Sequence, residues 1–119
     1  MTIAENIAAA RDYLDEHGWT QNAFYNAAGE ACLRGAVIGA LRYEGNRNDI
    51  AVMATVKFLG EQVCATMGWE RDKDGLIRFT VHGTLHEPVA HYNDRILPDK
   101  DAALEFLDKC RITAEEQGK

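Results

Sequence analysis

Three of the chain's four histidines, His82, His86 and His91, fall within ten residues, and Asp94 follows closely. Imidazole titrates near neutral pH and ligates metals through its neutral ring nitrogen, so no other segment gathers as much capacity to bind metal or move protons. The ligand types in His82-x-x-x-His86-x-x-x-x-His91-x-x-Asp94 suit zinc or another transition metal. Their spacing, however, belongs to no recognised metal motif. His82 and His86 fall on an expected strand end and a loop, where a separation of four does not put two side chains on one face as it would in a helix. Solvated loop histidines bonded to backbone are the preferred reading, and no cofactor is expected.

Cys32 offers a second chemistry, a thiol nucleophile with His91 as base and Asp94 orienting it. That needs a depressed thiol pKa, which a helix N-terminus supplies, and Cys32 falls near an expected one. The plainer reading makes Cys32 a small apolar filler before Leu33, and no nucleophile signature surrounds it. Asn93-Asp94 has its own reading. Such side chains bond neighbouring backbone, so they can dock a loop that lacks strand partners.

These residues need elements to position them. Thr2 and Glu5 form a capping box, and Ile3, Ile7, Ala10 and Leu14 recur at helical spacing until Gly18 ends the turn, giving a helix over 2–17. Trp19 can then fold back on that apolar face, and 23–31 reads as a loop or short hairpin. The run from Cys32 to Leu41 carries a single charge, and its length and alanine content favour a helix over 32–44. Gly35 and Gly39 lie four apart there, on a face where another backbone can approach. Asn48 or Asp49 can cap a long amphipathic helix over 49–67, which Gly68 ends. The alternation in Leu76-Ile77-Arg78-Phe79-Thr80-Val81-His82 suggests a strand with Ile77, Phe79 and Val81 inward, in a small hairpin within 69–82. Gly83 to Leu97 reads as loop. Pro98, Asp99 and Asp101 then favour the start of a last helix over 99–115, before a frayed tail.

The whole chain bounds the function. Its 119 residues suffice for one domain, 1–119, with its own core and no need of a disulfide or metal. Cys32, Cys64 and Cys110 are odd in number and widely spaced, which fits a reducing cytoplasm rather than a disulfide framework. No secretory or membrane-spanning signal is expected. A formal charge of -6 with scattered basic residues disfavours nucleic-acid binding. A helix pair built from 32–43 and 48–64 would bring only Arg42, Arg47 and Lys57 to DNA.

Gly18-Trp19-Thr20-Gln21, then Cys32-Leu33-x-Gly35-Ala36, then Tyr92-Asn93-Asp94 before a leucine-rich helix resembles an uncharacterised family of small proteins from actinobacteria and their phages. That family usually carries Trp before the Asn-Asp pair, where this chain has Tyr92. The resemblance implies a shared helical fold and a phage or mobile-element setting, with Trp19, Gln21, Tyr92, Asn93 and Asp94 as its structural or binding motif. It supplies no catalytic residues and does not require the histidines.

The sequence therefore predicts a mostly α, compact four-helix domain with the hairpin as a minor β component. The expected role is a non-catalytic protein-interaction module, a phage-encoded modulator of a host protein, with a protein partner or a second copy as occupant. The competing class is a small metal-dependent or cysteine hydrolase built on His82, His86, His91, Asp94 and Cys32.

Overall fold

The computed structural model describes residues 1–42, 49–78 and 85–119. Helix α1, Ile3–His17, begins as its capping box dictates, with Thr2 Oγ1 accepting from Glu5 N and Glu5 Oε1 accepting from Thr2 N, both at 3.0 Å. Its stripe of Ile7, Ala10 and Leu14 is fully buried, and Gly18 closes the helix at φ +93°, its N–H donating to Leu14 O. Helices α2, Leu33–Leu41, and α3, Asp49–Met67, follow. The second is shorter than the expected 32–44, because Arg42 takes extended backbone. Helix α5, Lys100–Glu116, starts behind Asp99, whose side chain accepts from Ala102 N. It buries Ala103, Leu104, Phe106, Leu107, Cys110 and Ala114, and packs chiefly on α1, which also meets α2. The radius of gyration, 13.7 Å, matches about 13.5 Å for a compact chain of this length.

Four expectations are corrected. Within the described part of 69–82 the hairpin does not form: one isolated bridge joins Arg71 to Ile77. Ile77–Arg78 (β1) instead pairs antiparallel with Leu85–His86 (β2), a two-residue contact beyond that span. The loop expected over 83–97 contains a helical turn, Pro88–His91 (α4), and then a π-turn, Tyr92–Ile96, so the described residues hold five helical segments besides that turn. Glu87 caps α4, accepting from Val89 N and Ala90 N. The tail is not frayed either: Lys119 N donates to Ala114 O, and Ala4 N donates to Lys119 O at 3.1 Å. The 45–49 turn's glycine, the Asn48 cap, and the inward Phe79 and Val81 lie outside the described residues, as does His82.

The two glycines of α2 do permit close approach. A Cβ on Gly35 would strike the Phe24 carbonyl, and one on Gly39 would strike the Tyr13 ring. Segment 19–31 is held against α2 by that contact and by the Cys32 N–H donating to Phe24 O at 3.1 Å.

Candidate functional site

The π-turn is where the sequence motifs meet. A π-turn is wider than an α-helical one and leaves main-chain carbonyls unpaired, which is why such turns need outside donors. Gln21 supplies them: its Nε2 lies 3.3 Å from the carbonyls of Asn93, Asp94 and Leu97, two hydrogens shared among three acceptors. Asn93, 1% exposed, uses its whole amide. Its Oδ1 accepts from Trp19 Nε1 at 2.8 Å and Leu33 N at 3.0 Å, and its Nδ2 donates to Thr20 O at 3.0 Å and Asp94 Oδ1 at 2.9 Å. Asp94 Oδ1 also accepts from Asn22 N at 2.8 Å, where Asn22 takes the left-handed conformation at φ +65°. Tyr92 anchors the turn on α5, its ring 4.9 Å from that of Phe106. Trp19, Gln21, Tyr92, Asn93 and Asp94 thus form one polar clasp joining 19–22, the start of α2 and the π-turn. Its groups face one another.

Cys32 sits beside the clasp as the N-cap of α2, its Sγ accepting from Gly35 N at 3.3 Å. Only 7% of it is exposed, and burial pushes its thiol pKa up despite the Gly35 and Arg34 amides that pull it down. Nearby Asp94 pushes the same way as burial. Nucleophilic attack requires thiolate, so the helix start acts here as a cap and not as an activator. Cys64 and Cys110 are buried too, the latter's pKa pushed up to about 12. Native protein at neutral pH is accordingly expected to react with a disulfide reagent at least about 100-fold more slowly than free cysteine, and all three thiols should appear once denaturant is added. Rapid release of one equivalent from the folded protein would reinstate a reactive cysteine.

The structure brings two histidines together. The rings of His86 and His91 lie 5.5 Å apart, and Trp69 meets His91 edge-on at 5.4 Å. His86 and His91 line a cleft of about 210 Å3 with Asn22, Glu87, Asp94 and Arg95. Burial, with His86 and Arg95 beside it, holds His91 below the usual imidazole value, against a smaller opposite pull from Asp94. Among the described residues, no three His, Cys, Asp or Glu side chains gather closely enough to hold a metal ion.

A different surface is open. On α3, Ile50 is 84% and Met53 71% exposed, with Ala54 and Lys57 continuing the same face at helical spacing. This helix is apolar along most of its length, yet less than half of it is buried. By length and composition it would suit a membrane, but Val52, Phe58, Leu59, Val63 and Cys64 pack into the core, Ala51, Val56 and Met67 lie half-buried against it, and Ile50 and Met53 face out. A groove of about 920 Å3 runs beside that face, between α3, the 69–76 turn and the start of α4. Arg34 and Glu87 reach it from behind. Sequence reasoning missed both as site residues, although Arg34 is the lone charge in the apolar run of α2, and a charge there is the signal that would have found it.

A model of a family of unknown function, DUF6197, matches residues 1–112. No curated protein and no solved structure matches the chain.

Proposed function

The chain belongs to that family of unknown function, and from this premise we propose that the protein is a non-catalytic protein-interaction module whose contact surface is the outer face of α3. The observation that carries the reading is the exposure of Ile50 and Met53 side by side above a large groove. Apolar side chains left this open beside a groove are what protein contacts cover. The groove adds a charge preference. Arg34, Lys57, Arg71 and Lys73 line it against Asp72, Asp74 and Glu87, a cationic balance within a chain of formal charge -6. An acidic partner segment with apolar side chains complements both properties. The resemblance to small proteins of actinobacteria and their phages supports a finer form of the proposal, a phage-encoded modulator acting on a host protein in the cytoplasm. The hydrolase alternative keeps His86, His91 and Asp94 around one small cleft, with His82 outside the described residues, and loses the support of Cys32, which is a buried cap.

The test uses Ile50→Glu with Met53→Glu, both on open surface, where substitutions change stability by only about 0.5 kcal/mol. A host protein retained by the native chain and lost by the double variant is identified, purified and titrated. Its dissociation constant is expected to rise at least about tenfold in the double variant. Equal affinity for both forms overturns the reading. A native dimer that the double variant dissociates also overturns it, by assigning the face to a second copy.

A further inference from the structure

Arg34 enters the groove with hydrogen-bonding capacity left over. Its Nε is buried and has no hydrogen-bond partner, its guanidinium lies 5.2 Å from the Phe24 ring centre, and its nearest carboxylate, Glu87 Oε2, is 3.8 Å from a terminal nitrogen. That distance is an ion pair without a hydrogen bond. Glu87 cannot easily turn toward it. Both carboxylate oxygens are taken by α4, Oε1 accepting from Val89 N at 3.1 Å and Oε2 from Ala90 N at 2.6 Å. The Nε–H is shut away from the surface, but the terminal nitrogens of this one-third-exposed side chain can meet a planar carboxylate with two parallel hydrogen bonds.

The groove restricts which anion can do this. Asp72 is fixed across the 72–76 turn, its Oδ1 accepting from Asp74 N and Leu76 N, so its charge stays in place beside Asp74 and Glu87. Four cations face these three carboxylates, so charge alone admits any anion; what favours a carboxylate side chain over free phosphate is the apolar lining beside it. The opposite wall, with Val52, Met53 and Val56, is aliphatic. We propose that the groove binds an acidic segment of a protein partner, with one of its Asp or Glu carboxylates held by Arg34 and a neighbouring aliphatic side chain against Val52 and Val56. This rests on the interaction-module reading and names the chemistry of the partner.

The experiment titrates full-length protein with three probes: a short peptide of glutamate and leucine, a matched peptide of lysine and leucine, and inorganic phosphate. The readout is the nitrogen-15 resonance of the Arg34 Nε–H, assigned by its loss in Arg34→Lys, together with the amides of Val56 and Gly60. The acidic peptide is expected to move all three, and the other probes to leave the Arg34 signal in place. Arg34→Lys keeps the charge and loses the fork, and should weaken the acidic peptide at least about tenfold. Should that variant melt early, Lys57→Ala with Lys73→Ala replaces it, with a severalfold loss expected. Unchanged affinity in these variants, equal binding of the basic peptide, or an equal response to phosphate overturns the proposal. If a partner still depends on Ile50 and Met53 while Arg34 does not respond, the anchor fails and the module stands. If the acidic peptide binds through Arg34 and no partner depends on that face, the module fails instead.

Discussion

Replacing Asn93 by alanine is expected to lower the unfolding free energy by about 3–5 kcal/mol, the upper range for one side chain. No large apolar volume is lost, so the effect comes from stranded partners. The indole N–H of Trp19, the Leu33 N–H and the Thr20 carbonyl each lose the bond that Asn93 gives them, in a place where water does not easily enter. Leu33 is also the first residue of α2, so the helix loses a satisfied amide at its start. Urea unfolding followed by circular dichroism measures this, provided the denaturant slope is unchanged. Asn93→Asp is the informative companion: it keeps acceptors for Trp19 and Leu33 but removes both donors and sets a carboxylate against Asp94. A loss below about 1 kcal/mol in Asn93→Ala would mean that water or a neighbour replaces the amide.

The second large effect concerns a single methyl group. Gly35→Ala should gain about 1 kcal/mol of helix propensity, yet the new Cβ would run into the Phe24 carbonyl, a backbone atom that Cys32 N already holds in place. Either α2 or segment 19–31 must move, and the net result is expected to be a loss of about 2–3 kcal/mol. Gly60→Ala is the control. Its Cβ would meet Pro88 Cγ at 3.5 Å, an ordinary contact, so the propensity gain should survive there. Thermal melts of the two variants should therefore shift in opposite directions, and a stabilised Gly35→Ala would show that the Phe24 contact yields freely.

What was legible in the sequence was local. Thr2 with Glu5, the apolar stripe of α1, and Gly18 all act within one or two turns of their own position, so the pattern alone carries them. Gly35 and Gly39 were readable as a close approach because a helix with two glycines on one face has room for little else. The π-turn was not readable. It has no periodicity of its own, and the donor that satisfies its carbonyls, Gln21, stands more than seventy residues earlier. The same separation hides the pairing of Trp19 with Asn93, although both belong to the sequence motif. For the histidines the sequence supplies composition without geometry: spacing on a loop does not say which rings meet, and the described residues bring His86 and His91 to 5.5 Å while His82 lies outside them. Arg34 was overlooked because one charge in an apolar run reads as an exception to burial.

The clasp also bears on how the chain reaches this state. Trp19 and Asn93 are 74 positions apart, and Leu33 and Asn93 are 60 apart. Closing loops of that length costs entropy before any contact repays it, whereas α1 and α2 are near neighbours along the chain and can meet early. The contacts that define the motif, like the still longer-range packing of α5 on α1, therefore form after that local pair. Weakening them should leave the folding rate nearly unchanged and act mainly on how fast the molecule opens.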